Sequence, residues 1–265
     1  MLLNAVFLLL AALGTVGVYL IFPMLSLWWV LPILLGSFVG VIILYLVFLF
    51  IASLFLPRKK TIQKPNEFCR FMIWLTMDWL MSLFRIRVTM EGVEKLPDEP
   101  CVIVSNHRSD FDPMTMLAVL KTRKLVYISK ESNFKIPIVG GFIHHAGFLS
   151  IDRNNARRAL RTLSGAAEMM TRIGVDVGIY PEGTRSRTGK MLRFKSGAFV
   201  LAQSAHAPVV VLATTGTEKI SKNVPFRTTR VRMEVLEVIS ADRVQSMSTD
   251  DLCAYTHDLI ERTVG

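Results

Sequence analysis

The first 57 residues of this 265-residue chain contain no Asp, Glu, Lys or Arg, so all 31 basic and 21 acidic residues come after Pro57. A hydrocarbon core about 30 Å thick is crossed by about 20 apolar residues in a helix. The uncharged stretch has room for two such helices, which the pattern predicts over Leu2–Phe22 and Pro32–Leu56. A secretory signal has an apolar region of only roughly 7–15 residues after a basic start. We therefore expect a retained two-helix membrane anchor over residues 1–57.

The loop between these predicted helices contains Trp28 and Trp29, which suit the aromatic belt at a membrane interface. Glycines and prolines within the stretch leave a second interpretation open, in which the helices are re-entrant or interfacial instead of full spans. The positive-inside tendency places the basic end of the anchor in the cytoplasm. We therefore expect a protein of the cell membrane with its globular domain on the cytoplasmic side. The basic residues behind this expectation are Arg58, Lys59, Lys60 and Lys64.

The net charge of +10 is carried entirely by residues 58–265. Such a charge attracts polyanions, either an anionic membrane leaflet or nucleic acid. The anchor favours the leaflet, and the sequence contains no nucleic-acid-binding motif. We therefore expect a phospholipid membrane as a partner and no nucleic acid. The three cysteines are odd in number, far apart and without metal-ligand spacing, which indicates free thiols in a reducing compartment.

Residues 58–85 form a predicted basic linker followed by an amphipathic helix over Asn66–Arg85. On a helical wheel its four charged residues fall within an arc of roughly 80°, and most of the circumference is apolar. Two interpretations remain open. The helix either lies in the headgroup layer with Trp74 and Trp79 at its surface, or packs against the following domain.

Residues 86–265 show short β-branched runs that alternate with helical patterns. Strands separated by helices predict an α/β domain with a largely parallel central sheet flanked by helices. The predicted strands are Cys101–Ser105, Leu125–Ser129, Gly147–Ile151, Val175–Tyr180, Pro208–Ala213 and Val231–Ile239. The predicted helices are Asp112–Leu120, Asn154–Arg172, Ser196–Ala205 and Ser248–Thr263.

The first chemically informative segment follows the strand Cys101–Ser105. An aspartate before a proline favours a helix start, with Asp112 as N-cap and Pro113 as the first helical residue. Across such a turn, His107 and Asp112 can meet, whereas on a continuous helix they would be about 140° apart. A carboxylate on one ring nitrogen fixes the tautomer and leaves the other nitrogen free to accept a proton. His107 is thus a candidate general base. Asp110 could orient its ring in place of Asp112. The alternative is that these side chains only cap backbone N–H groups.

The second informative segment, Tyr180 to Arg187, also follows a predicted strand and is rich in groups that bind oxyanions. Arginine can bind phosphate with two parallel hydrogen bonds, glycine permits close backbone approach, and hydroxyls donate further bonds. A solvated loop is the alternative. A nucleotide P-loop fits poorly because Gly183 and Gly189 are one residue too far apart and Met191 stands where Ser or Thr is needed.

Four segments together resemble the four sequence motifs of the glycerolipid acyltransferases, in the same order. The most similar members are the 1-acyl-glycerol-3-phosphate acyltransferases. The segments are Asn106 with His107-x4-Asp112, then Gly147–Arg153, Pro181–Ser186 and Ala207–Val211, which span about 40% of the chain. The last segment departs from the usual pattern at Ala207, so a plain core strand is an equal interpretation there.

The resemblance implies roles for individual residues. His107 is the expected base and Asp112 its orienting partner. Lys130 matches a lysine that members often place beside the acceptor phosphate. The remaining residues implied to hold that phosphate are Arg153, Glu182, Gly183, Thr184, Arg185 and Ser186.

The resemblance also implies the reaction. A fatty acyl group moves from an acyl thioester, acyl-CoA or acyl-carrier protein, to the free hydroxyl of 1-acyl-glycerol-3-phosphate (lysophosphatidic acid), giving phosphatidic acid. The acceptor hydroxyl is itself the nucleophile, so no Ser or Cys of the enzyme is required, and His107 first removes a proton and then protonates the departing thiolate. We expect no metal and no further cofactor, because the sequence contains neither H-E-x-x-H nor a Cys/His cluster.

Three alternatives are weighed against this reaction. In the first alternative the acceptor is another lysophospholipid or glycerol-3-phosphate. In the second the protein is a membrane-bound lipid esterase, and in the third it is a non-enzymatic tether for anionic lipids. An esterase of the usual type needs a G-x-S-x-G turn, which the sequence does not contain. A tether would leave the four ordered segments unexplained.

Overall fold

A computed structural model describes residues 2–57, 64–186 and 190–264. The predicted basic residues Arg58, Lys59 and Lys60 lie outside the described residues, as do the start of the predicted linker and Arg187 of the second segment.

The chain begins with two apolar helices, α1 (Leu2–Ile21) and α2 (Val30–Leu54), joined through a short 3-10 helix at Leu27–Trp29. This confirms the predicted N-terminal helix pair. Both helices are long and apolar enough to cross a membrane, and only 17% of the apolar window in α1 and 6% of that in α2 is buried inside the protein. Apolar side chains that the protein does not bury require an apolar surrounding or a partner.

The third helix, α3 (Glu67–Leu83), connects this pair to the rest of the chain. The Asn66 side chain accepts a hydrogen bond from the Cys69 N–H at 3.1 Å, which caps the first turn. Trp79 is buried at 5% exposure and meets Phe7 and Tyr45 edge-on, with ring centroids 5.6 and 6.0 Å apart. Trp79 therefore does not lie at the helix surface, and its ring partners belong to the N-terminal helices. Other side chains of α3 lie in the hydrophobic cores of the following domain, so the packing interpretation of this helix is the one that the structure shows.

The remainder is an α/β fold with a seven-stranded sheet in the order β1-β7-β6-β2-β5-β3-β4. Every pair of neighbours is parallel except β6 and β7, which confirms the predicted, largely parallel sheet. The strands are β1 (Ile86–Glu91), β2 (Val102–Ser105), β3 (Leu125–Lys130), β4 (Leu149–Ile151), β5 (Asp176–Ile179), β6 (Val209–Thr215) and β7 (Thr229–Ile239).

Helices cover both faces of the sheet. One core contains residues of α6, α7, α9 and α10, and the opposite core contains residues of α3, α4 and α8. A third cluster joins α2, α3 and α5. The helices are α4 (Phe111–Val119), α5 (Val139–His145), α6 (Ala156–Ile173), α7 (Val200–Ala205), α8 (Ile220–Asn223), α9 (Ala241–Ser246) and α10 (Thr249–Val264).

All six predicted strands are present, and the four predicted helices correspond to α4, α6, α7 with its preceding 3-10 turn, and α10. The sequence analysis did not predict β1 or the short helices α5, α8 and α9. In β1 only Ile86 is buried and exposed polar residues alternate along the strand, so it lacks the apolar run of an inner strand. The short α5 contains Gly140 and Gly141, which are poor helix formers.

The neighbouring strands β2, β5, β3 and β4 are all parallel, so their carboxyl ends meet at one edge of the sheet. Ligands of such sheets bind outside the carboxyl ends of the strands. The four segments that follow these strands include both chemically informative segments of the sequence.

Candidate active site

The position of His107 is fixed by the residue before it. Asn106 follows β2 and bonds the backbone of Thr214 on the adjacent β6 twice. Its side-chain oxygen accepts from the Thr214 N–H at 2.8 Å, and its amide nitrogen donates to the Thr214 carbonyl at 2.9 Å. Because both groups are buried, the chain leaves the sheet at a defined point and angle.

The imidazole of His107 contacts the carboxylate of Asp112, with 2.8 Å between Nδ1 and Oδ2. The same oxygen accepts the N–H groups of Arg108 at 2.7 Å and Ser109 at 2.8 Å, while the Thr217 hydroxyl donates to Oδ1. An ionised carboxylate only accepts hydrogen bonds, so Nδ1 carries the proton and Nε2 is left to accept one. The sequence analysis did not predict Thr217 as a site residue. The one feature of the sequence that could have indicated it is its position just after the strand β6.

The helix start differs from the prediction. The helix begins at Phe111 with Asp110 at the N-cap, which makes Asp112 the second helical residue and Pro113 the third. The prediction of Asp112 as N-cap was wrong because its carboxylate bonds N–H groups that precede the helix, not those of the first turn. Pro113 is tolerated at this place because the first N–H groups of a helix have no intrahelical partner.

Asp110, the rival orienting residue, lies elsewhere. Its side chain is 72% exposed and forms an ion pair with Arg185. Asp112 is the carboxylate that the structure places on the imidazole.

Glu182 holds the backbone around His107. Its Oε1 accepts from the His107 N–H at 2.6 Å and its Oε2 from the Leu192 N–H at 2.9 Å. Burial raises the pKa of this carboxyl, although both backbone bonds oppose the shift. Ser186 completes the arrangement, since its N–H donates to the His107 carbonyl at 3.0 Å and its hydroxyl donates to the Lys190 carbonyl.

The residues between Glu182 and Ser186 form an open turn. Gly183 has a φ of +70°, which favours glycine, and a Cβ there would lie 3.1 Å from the Lys195 ammonium nitrogen. Thr184 and Arg185 are exposed at the tip.

A cavity of about 480 Å³ lies against the sheet edge and is lined by His107 together with Lys130 and Arg153. Lys130 ends β3, and Arg153 follows the end of β4, so both cations arrive from neighbouring strands. Partial burial lowers the pKa of the Arg153 guanidinium. Arg185 adjoins this cavity through its ion pair with Asp110, which is itself a lining residue.

Most of the remaining wall is apolar and comes from α2, α3, α4 and α5. Leu49 of α2 is among these residues, so the cavity extends to the N-terminal helix pair. A cavity with a cationic end, a base and a long apolar wall fits an amphiphile with an anionic head and a hydrocarbon chain. The apolar residues include Leu49, Met72, Ile73, Met77, Leu80, Met114, Leu117, Ile138, Phe142 and Phe148.

Among the described residues, His257, Asp258 and Glu261 bring three ligand atoms within 4.8 Å of one another. They lie on α10, on the mainly exposed side of that helix, whereas the cavity lies at the ends of β2 to β5. The cations and the base of the cavity are not a metal-ligand set, because Lys and Arg repel a metal ion.

Comparison with known proteins identifies the family of the chain. The family model described as Acyltransferase matches residues 87–215, a range that includes all the predicted site residues. A human 1-acyl-sn-glycerol-3-phosphate acyltransferase beta is 34% identical over 192 residues, which cover 70% of this chain and 69% of the relative. A chloroplastic 1-acyl-sn-glycerol-3-phosphate acyltransferase from Brassica napus is 38% identical over 136 residues, and the match spans 51% of this chain and only 39% of that relative.

Among solved structures, the 1-acyl-sn-glycerophosphate (LPA) acyltransferase PlsC from Thermotoga maritima superimposes with a TM-score of 0.61 at 27% identity. The match covers 83% of this chain and 87% of that one. The fold and the site thus define an acyltransferase domain preceded by two apolar helices. The chain belongs to the 1-acyl-sn-glycerol-3-phosphate acyltransferase family.

Proposed function

We propose that this protein transfers a fatty acyl group from an acyl thioester to the free hydroxyl of 1-acyl-glycerol-3-phosphate, giving phosphatidic acid. The observation that carries the proposal is a single cavity that contains an oriented imidazole, two cations and an apolar wall. The similar proteins from Brassica napus and human, both 1-acyl-sn-glycerol-3-phosphate acyltransferases, support the same substrate.

In this reaction Nε2 of His107 removes the proton of the acceptor hydroxyl as its oxygen attacks the thioester carbonyl. The C–O bond forms, and the negative charge moves to the carbonyl oxygen of a tetrahedral intermediate. The intermediate collapses with cleavage of the C–S bond, and the imidazolium returns its proton to the thiolate. Asp112 stabilises the imidazolium between these steps. No metal or further cofactor takes part in this scheme.

Lys130 and Arg153 hold the acceptor phosphate in the proposed complex, because both line the cavity beside the base. Arg185 joins them at the phosphate from the edge of the cavity, and its ion pair with Asp110 also keeps that carboxylate from repelling the phosphate. Glu182 and Ser186 act on the backbone of His107 and keep the base in place. Gly183 and Thr184 form the turn that presents Arg185.

The helices α1 and α2 serve as the membrane anchor in this proposal, and the α/β domain lies on the cytoplasmic side. Leu49 connects the anchor to the cavity wall, so the acyl chain of a lysolipid in the bilayer has a short path to the site. The basic α/β domain attracts both the anionic leaflet and an acidic donor, either acyl-CoA or acyl-carrier protein.

A transfer assay tests the proposal. Membranes containing the protein are incubated with a labelled acyl thioester and lysophosphatidic acid, and labelled phosphatidic acid is the expected product. A His107→Ala variant in the same membranes is the matched control. Parallel reactions with acyl-CoA and acyl-carrier protein identify the donor. Acylation of another lysophospholipid or of glycerol-3-phosphate, with none of lysophosphatidic acid, would refute the proposed acceptor.

A further inference from the structure

The imidazole of His107 has a second contact, on its face. The Tyr180 ring lies parallel to it, with centroids 4.4 Å apart and planes inclined by 19°. Tyr180 is in turn stacked on Tyr127, with centroids 5.7 Å apart and planes inclined by 2°. We call these three rings the aromatic stack. It extends from the end of β2 across β5 to β3 and lines the cavity.

A glycine in β5 makes room for this arrangement. Tyr127 is the register partner of Gly178 on the neighbouring strand. A Cβ at Gly178 would lie only 2.3 Å from Cε1 of Tyr127, so the Tyr127 ring occupies the space of the missing side chain. Residues two apart on a strand face the same side, which places the Tyr180 ring beside the Tyr127 ring. Gly178 therefore sets the distance between the two tyrosines.

The tyrosine hydroxyls do not account for the stack. Both are buried, and neither forms a well-aligned hydrogen bond with a described residue. The two hydroxyls nevertheless interact with each other, because the Tyr127 hydroxyl adds to the effect of burial in raising the pKa of Tyr180. The observed contact with His107 is made by the ring.

We propose, on the basis of the function proposed above, that Tyr180 is a positioning residue for the base, held in place by Tyr127 across Gly178. The Asp112 carboxylate fixes one nitrogen of the imidazole but not the plane of the ring, and the stacked phenol fixes the plane. When the imidazole takes the acceptor proton it becomes a cation over an aromatic face, which attracts it. The ring thus stabilises the charged form to which the base is converted during the reaction.

The matched pair Tyr180→Phe and Tyr180→Leu separates the ring from the hydroxyl. The Phe variant should keep more turnover than the Leu variant, since it retains the ring and removes only a hydroxyl that forms no hydrogen bond with His107. The Leu variant should lose roughly 2- to 30-fold in kcat, the factor that corresponds to about 0.5–2 kcal/mol of cation–π attraction. The KM values of both substrates should be unchanged, because the attraction arises only after proton transfer.

A pH profile provides a readout that a merely structural role would not change. Loss of an attraction that favours the protonated imidazole moves the midpoint of the acidic limb of kcat/KM to lower pH in the Leu variant only. Equal losses in the Phe and Leu variants would overturn the inference, because the hydroxyl would then be the active group. Wild-type turnover in the Leu variant would also overturn it.

A second variant keeps the inference testable if Tyr180→Leu does not fold. Gly178→Ala must displace Tyr127 and loosen the stack while Tyr180 itself is retained, so it should reduce kcat in the same direction. Gly165→Ala in α6 is the control, since its nearest new contact is 3.8 Å away, and it should have no effect. Equal activity of these two variants would count against the stack. Absence of transfer in the wild-type protein would instead refute the proposed function.

Discussion

Replacement of Asp112 by Asn tests the charge of the carboxylate with little change in its contacts. Asp112 is fully buried, and its Oδ2 accepts three hydrogen bonds, from His107 Nδ1 and from two backbone N–H groups. An amide oxygen at the same position can accept all three. The amide nitrogen would then face the Thr217 hydroxyl, which can rotate to accept. The opposite amide orientation would set an NH₂ group against three donors, so it is disfavoured.

The expected loss in activity follows from the charge alone. At about 4 Å between charge centres and an effective dielectric constant of about 20, a carboxylate stabilises an imidazolium by roughly 4 kcal/mol. A lower bound on this stabilisation of the imidazolium is the difference between a charge-assisted and a neutral hydrogen bond, about 1–2 kcal/mol. Asp112→Asn should therefore lower kcat by about 10- to 1000-fold. Asp112→Ala should in addition lower the free energy of unfolding, because two buried backbone donors and Thr217 lose their acceptor.

The assay is acyl transfer to lysophosphatidic acid at saturating concentrations of both substrates, with thermal unfolding of each variant measured in parallel. Asp110→Asn is the matched control, because Asp110 is exposed and pairs with Arg185 instead of His107. Wild-type kcat in the Asp112→Asn protein would refute the assignment of the base. A larger loss from Asp110→Asn than from Asp112→Asn would show that the orienting carboxylate had been misidentified.

Three further predictions concern the base, the phosphate site and the topology. His107→Ala should lower turnover by about 10²–10⁴-fold without loss of membrane association, and near wild-type turnover of the purified variant would contradict it. Arg153→Ala and Arg185→Ala should raise the KM of the phosphorylated acceptor by roughly 10- to 150-fold, since charged hydrogen bonds contribute about 1.5–3 kcal/mol. Replacement by Lys should restore the KM only in part. A raised KM of the donor alone would show that these arginines contact the donor. A cysteine introduced at Pro57 should react with an impermeant reagent from the cytoplasmic side, and one introduced at Ser26 should react from the opposite side. The background should be low because the three native cysteines are buried. Cytoplasmic labelling at both positions would favour re-entrant helices, and external labelling at Pro57 would reverse the topology.

The positions of six of the seven strands along the chain were predictable because they depend on local patterns. Buried parallel strands consist of nearly continuous apolar residues, as in Val102–Ser105, and this pattern is visible in the sequence. Since parallel strands end at one edge, the sequence also predicts that Arg153 and Arg185, which follow separate strands, can meet there. The edge strand β1 was not predicted because it is half exposed and lacks a continuous apolar run.

Contacts that depend on the order of strands in the sheet were not predictable. Tyr180 reaches His107 because β5 lies between β2 and β3, an order that differs from the order along the chain. Trp79 likewise contacts Phe7 and Tyr45, which are far away in sequence. The apolar pattern of α3 around Trp79 is the same for a helix in a headgroup layer and for a helix packed on protein, so the sequence alone does not distinguish the two.

The segment from Glu182 to Ser186 shows why a motif of oxyanion-binding residues does not assign one role to all its members. Glu182 and Ser186 bond the backbone N–H and carbonyl of His107, whereas Arg185 contacts Asp110 at the cavity. The two ends of the segment thus hold His107, the proposed base, and the exposed tip is left for the proposed contact with the phosphate. Substitutions at the ends should therefore lower kcat, and substitutions at the tip should raise the KM of the acceptor. Steady-state kinetics with each substrate varied in turn separates the two effects, and a pure rise in KM for Glu182→Gln would contradict this division.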